Sequence, residues 1–127
     1  MKQIEAIIRT SKFEEVKRAL HEIEIDFFSY WEANGVGNEI YKSSRIYRGA
    51  IVDTTNIPRS VLTIVVRYRN LRKTVDCILK AANTGEIGDG RIFVTNVEES
   101  WKIRNKTNGE DTLKGEHEMD AIVSAIN

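Results

Sequence analysis

One cysteine, Cys77, and one proline, Pro58, are all that this chain of 127 residues carries of either type. A lone cysteine closes no internal disulfide, so a packed core has to supply the stability, and a reducing cytoplasm is the expected compartment. Cys77 stands within an apolar helical pattern and reads as a buried core thiol. Net charge is missing as well. Lys plus Arg and Asp plus Glu both number 19, which argues against a general nucleic-acid binder, since such a domain would be strongly basic. No apolar run approaches the ~18–20 residues that cross a bilayer. The segment from Met1 to Arg9 alternates in polarity and has no apolar block of the signal-peptide kind. Histidine is scarce too, with only His21 and His117. Neither lies near the glycine-rich segment described below, and no nucleophile, base and orienting group stand together, which disfavours an enzyme. With Cys77, they also lack the ligand spacing of a structural metal site.

What remains is an ordinary balance for one globular domain: 41% hydrophobic and 30% charged residues. Lys2 to Arg9 places Ile4, Ala6 and Ile8 on one side and Glu5 and Arg9 on the other, the alternation of a half-buried strand. Ser11, with Glu14 three residues on, predicts a capping box opening a helix through Phe13, Val16, Leu20 and Ile23. The aromatic-rich run from Phe27 to Trp31 suits a second strand. Val61 to Tyr68, dense in β-branched residues, suits a third. Leu71, Val75, Ile78, Leu79 and Ala82 then repeat at one-face helical spacing. Arg91 to Val97 alternates again, and Trp101 to Arg104 reads as a further short strand.

The order strand, helix, strand, strand, helix, strand predicts an α+β, ferredoxin-like βαββαβ domain over residues 1–104. Both helices lie on one face of its sheet. The other face needs a cover, and self-association supplies it most simply. Two segments stand apart. Residues 37–57 form a long connection between the second and third strands without sustained periodicity, and excursions of that length inside a compact domain are usually functional. Residues 105–127 form a polar C-terminal extension.

Gly85, Gly88 and Gly90 fall within seven residues, with Asp89 and Arg91 among them. Glycine admits positive φ and leaves the backbone open to close approach, so successive N–H groups can converge on an anion. Arg91 adds a guanidinium able to bond phosphate oxygens in pairs. The order is helix, loop, strand, which is neither a phosphate loop of the Gly-Lys-Ser/Thr type nor a dinucleotide fingerprint. By itself the segment is a candidate phosphate loop or a structural turn.

The stretch TGEIGDGRIFV, from Thr84 to Val94, closely resembles the C-terminal signature of the PII family of signal transduction proteins, which usually has lysine at the Arg91 position. The opening MKQIEAIIRTSKFEEVKRAL is similar to that family's start, and Tyr47-Arg48-Gly49-Ala50 resembles the middle of its long loop. The three similarities come in order over residues 1 to about 110. The resemblance implies a cytoplasmic homotrimer that binds ATP or ADP in clefts between subunits and is a sensor, not an enzyme. In the implied site Gly88, Asp89, Gly90 and Arg91 cradle the phosphates, and Gly35 and Gly37 approach them. Lys102 and Arg104 would come from the adjacent subunit, with the two residues pointing to one side of a strand. Phe28 and Ser29 would border the adenine, with Phe28 equally able to fill the core, and Thr63 stands where the family often has a ribose-binding glutamate.

The same resemblance implies 2-oxoglutarate sensing through a Mg²⁺ ion, with two departures in this chain. Glu39 occupies the position of a metal-binding glutamine, a harder Mg²⁺ ligand that would repel a dicarboxylate. Arg59 matches a carboxylate-pairing lysine. The loop tyrosine modified in some members falls near Ile51 or Val52, which carry no hydroxyl. Tyr47, Arg48 and Gly49 would meet a partner, either an ammonium transporter that draws the protein to the membrane or a metabolic enzyme. The alternative is a sensor of another small anion or of energy charge that acts on a different transporter or enzyme without 2-oxoglutarate.

Overall fold

In the computed structural model, residues 1–36, 45–47, 50–52 and 57–113 are described. Strand β1 spans Lys2–Arg9 and leads through a 3₁₀ turn, Thr10–Lys12, into helix α1, Phe13–Glu22. Strand β2 is Ser29–Gly35, and β3 (Arg45–Tyr47) pairs with β4 (Ala50–Val52) in a small antiparallel ladder. Strand β5 is Ile57–Val66, helix α2 is Leu71–Ala82 and strand β6 is Arg91–Asn96. The main sheet runs β2-β5-β1-β6 with every neighbour antiparallel. This is the expected α+β order, with one addition: the long connection holds the β3–β4 pair.

Register decides which residues share a face. Ile4, Ala6 and Ile8 stand opposite Ile64, Leu62 and Ser60, and paired residues of adjacent strands point to the same side. Ile4, Ala6, Ile8, Leu62, Ile64 and Val66 pack with Val16 and Leu20 of α1 and Ile78 and Ala82 of α2 into one core. The apolar spacing of both helices therefore does what it predicts. The opposite face carries Ser29, Trp31, Thr63, Val61, Glu5, Ile7 and Phe93 by the same register. Among the described residues no helix covers it, and Trp31 and Phe93 are about half exposed.

Several local expectations are corrected. Ser11 caps nothing: it lies inside the 3₁₀ turn, and α1 starts without a side-chain cap. Glu14 and Glu15 in its first turn still complement the helix dipole. The second strand begins at Ser29 and runs to Gly35 because the aromatic residues ahead of it are occupied differently: Phe28 packs against the core and Phe27 is exposed. Leu79 is half exposed, and Thr74 takes a buried place in α2 by donating to the Asn70 carbonyl at 2.7 Å. Cys77 is only partly buried, packed at the core's margin, and desolvation followed by the Glu22 charge raises its thiol pKa.

Trp101 to Arg104 is not a strand. Trp101 makes an isolated bridge to Asn108, and the chain turns between them, with the Lys102 N–H donating to the Thr107 carbonyl at 2.9 Å. Lys106 and Gly109 adopt positive φ of 61° and 87°, which closes this tight hairpin. No helix among the described residues is long and apolar enough to cross a membrane.

Candidate functional site

The glycine segment joins α2 to β6 at the end of the sheet where β1 finishes and β5 begins. Gly85, Gly88 and Gly90 have φ of 81°, 102° and 100°, so this path demands glycine. Gly90 is also pressed against β1: a Cβ there would lie 1.7 Å from the Ile7 carbonyl oxygen. Asp89 folds the segment onto itself. Its Oδ2 accepts the backbone N–H groups of Thr84 and Gly85, both at 2.9 Å, and its Oδ1 accepts the Thr84 hydroxyl. The Glu86 N–H in turn donates to Thr84 Oγ1 at 3.1 Å. The Thr84 hydroxyl bond above all, with the Thr84 and Gly85 amides and Arg9, holds the Asp89 carboxyl far below the usual carboxylate range against the desolvation that opposes it.

Two arginines close on this segment from the sheet. Arg9 and Arg59 are cross-strand partners, a like-charge pairing that destabilises when nothing offsets it. Arg9 is occupied: its Nε donates to Asp89 Oδ1 at 3.0 Å and its Nη2 to the Ile87 carbonyl at 2.7 Å. Arg59 is only 4% exposed, and its Nη1 is buried without a hydrogen-bond partner. Desolvation first and Arg9 second lower its pKa, while Asp89 pulls it back up. A Cβ on Gly88 would come within 3.1 Å of Arg59 Nη2 and 3.3 Å of Arg9 Nη2. Both guanidinium groups thus lie against the one residue that has no side chain to keep them away. Arg91, opposite Ile7, adds an exposed cation on the same face.

The sequence-derived residues are distributed unevenly about this point. Gly88, Asp89, Gly90, Arg91 and Arg59 come together. Ser29 and Thr63 are direct partners across β2 and β5, on the same open face, and Gly35 ends β2 opposite Ile57. Phe28 lies on the other side, in a groove with Phe13, Ile25 and Tyr30 beneath α1. In that groove His21 pairs with Asp26. Lys102 and Arg104 sit in the 101–108 hairpin, so strand alternation does not set their directions. Gly37, Glu39, Arg48 and Gly49 lie outside the described residues, as do His117 and the rest of 114–127. Of Tyr47, Ile51 and Val52 only the backbone is described.

Sequence reading missed Arg9 and Thr84. Arg9 showed only as a polar position on an alternating strand. The β1–β6 register exposes its role, because two steps beyond the Ile7–Arg91 pair it stands level with Asp89.

A model of the family described as nitrogen regulatory protein P-II matches residues 1–107. The chain belongs to the P-II family. It is 41% identical to a nitrogen regulatory protein P-II of Azospirillum brasilense and 40% identical to one of Bradyrhizobium diazoefficiens. A Rhodospirillum rubrum protein of the same description is 39% identical. Each alignment covers 113 residues, which is 89% of this chain and the whole of the relative. The glycine segment with its two arginines lies inside the matched region.

Proposed function

We propose that this P-II family protein is a signal transducer that binds ATP or ADP at the glycine segment and passes the bound state to a partner through residues 37–57. The observation that carries the reading is Arg59, a buried guanidinium with an unpartnered Nη1, set against Gly88 in a positive-φ turn. A buried unpaired charge is costly, and an anion seated over Gly88 would relieve that cost. The cradle therefore fits a phosphate-bearing ligand, and Arg91 adds a guanidinium suited to phosphate oxygens.

In this reading Gly88, Asp89, Gly90 and Arg91 hold the phosphates. Ser29 and Thr63 meet the nucleoside from the open face, with Phe28 kept in the core beneath. Gly35 and Gly37 allow the chain to leave the site toward the long connection. The half-exposed Trp31 and Phe93 favour a homotrimer in which open faces cover one another, and Lys102 and Arg104 then reach a neighbouring copy's site. A bound Mg²⁺ would supply charge neutralisation of the phosphates, and Glu39 is the carboxylate proposed to ligate it. Arg59 is the group for a carboxylate effector such as 2-oxoglutarate. An ammonium transporter or a nitrogen-metabolism enzyme is the proposed partner.

A second reading rests on Glu39: a carboxylate where the family has an amide disfavours a dicarboxylate, leaving a sensor of energy charge or of another small anion. Calorimetric titration with ATP and ADP, with and without Mg²⁺ and 2-oxoglutarate, separates the two. Nucleotide binding tightened by 2-oxoglutarate supports nitrogen sensing. Nucleotide binding indifferent to it supports the second reading. Absence of nucleotide binding overturns both.

A further inference from the structure

The glycine segment is anchored at its two ends but weakly in the middle. At its start, Asp89 ties the Thr84 and Gly85 amides. At its end, Gly90 is packed on the Ile7 carbonyl. Between them Ile87 is 61% exposed, so no apolar burial fixes the turn that presents Gly88. The contact that ties this turn to the sheet is Arg9, with one bond to the Ile87 carbonyl and one to Asp89.

We propose that Arg9 is a positioning residue: its fork clamps the 84–90 segment to the end of β1 and so holds Gly88 against Arg59 in the shape that receives an anion. The proposal rests on the nucleotide reading given above for its functional consequence, though not for the clamp itself. The geometry suits guanidinium in particular. Nε and Nη2 point in fixed directions from one plane, so a carboxylate and a carbonyl two residues apart can be held together. Lysine would present one point charge and could hold either. Charge follows the same logic. With Arg9 matched to Asp89, Arg59 is left with its Nη1 buried and without an acceptor. The clamp thus divides two adjacent arginines into one that shapes the site and one that meets the ligand.

The test uses the full-length protein in five forms: wild type, Arg9→Gln, Arg9→Lys, Asp89→Asn and the double variant Arg9→Gln with Asp89→Asn. Amide hydrogen exchange is followed without ligand, comparing peptides of residues 84–90 with those of β1 and α1, and ATP affinity is measured by calorimetry. Loss of two charge-assisted bonds should speed exchange of 84–90 in Arg9→Gln by about tenfold or more while the core is unchanged. ATP affinity should fall about tenfold, and Arg9→Lys should recover part of both effects. The double variant should lose less than the sum of the Arg9→Gln and Asp89→Asn losses, because Asp89 also holds Thr84 and Gly85 without Arg9.

Unchanged exchange with weakened ATP binding would make Arg9 a ligand contact and overturn the clamp. Additive losses in the double variant would also overturn it, since Arg9 and Asp89 would then act separately. Faster exchange confined to the segment, with no ATP binding even in the wild type, would uphold the clamp and bring down the nucleotide reading instead.

Discussion

Ser60 and Arg59 are neighbours in β5, both buried, pointing to opposite faces of one sheet. Ser60 lies toward the helices, fully buried, and donates to Glu32 at 3.0 Å, so its burial costs little. Arg59 lies at the glycine segment with Nη1 unsatisfied and a second arginine beside it. One side of the strand is arranged for stability alone. The other keeps a guanidinium with an unsatisfied Nη1 out of water, an arrangement that lowers stability unless something binds there. Adjacent residues under equal burial thus separate what holds the fold from what the fold is for.

The sharpest break of that contrast is at Gly90, where the segment is locked to β1. Gly90→Ala places a methyl into the Ile7 carbonyl at a φ of 100°. Both the overlap and the strain must be relieved by pulling β6 away from β1, and the expected loss exceeds about 4 kcal/mol. Chemical denaturation measures it. A loss below 1 kcal/mol would show that the segment is not anchored there. Next comes the helix-covered face. Leu62→Ala, at a fully buried position, should cost about 3 kcal/mol through the cavity it leaves. Calorimetry on the remaining folded protein should give unchanged ATP affinity. A large affinity change would mean that the two faces are not separable.

Arg59→Met is expected to move stability the other way. It replaces the unsatisfied guanidinium with an apolar chain of similar length, so the ligand-free protein should gain about 1 kcal/mol. Calorimetric titration of the same variant should show anion binding at the Gly88 cradle weakened at least tenfold. A variant that melts lower than wild type without ligand would show that Arg59 contributes to the fold, and the contrast with Ser60 would collapse.

How much of this was legible in the residues follows the same division. The core could be read, because Ile4, Ala6, Ile8, Val16, Leu20 and Ile78 obey periods of 2 and 3.6 that need no partner information. The glycine segment could be read as a special turn, since three glycines so close together have few other uses. The Arg9–Arg59 pairing could not, because it depends on β1 and β5 being partners in one particular register, across 50 residues of chain. The start of α1 was misread for a local reason: Ser11 looks like a cap but falls in a 3₁₀ turn. Trp101 to Arg104 alternates in polarity like a strand, yet Lys106 and Gly109 fold it into a hairpin.

The smallest expected effect concerns Asp89 and acid. Its folded-state pKa lies well below its unfolded value, so its bonds to Thr84, Gly85 and Arg9 add stability that is fully present above an ordinary carboxylate pKa of about 4. That contribution is lost progressively as the pH falls below this value, because the unfolded chain takes up the proton first. Protonation would leave Arg9 without its anionic partner beside Arg59, and the two arginines would then repel. Asp89→Asn removes the titrating group and keeps an acceptor oxygen for the amides. The gap in melting temperature between wild type and Asp89→Asn should therefore be constant from pH 7 to 5 and shrink between pH 4 and 3. If the gap stayed constant down to pH 3, the carboxylate charge would contribute nothing to the segment, and the division of roles between Arg9 and Arg59 would lose its electrostatic basis.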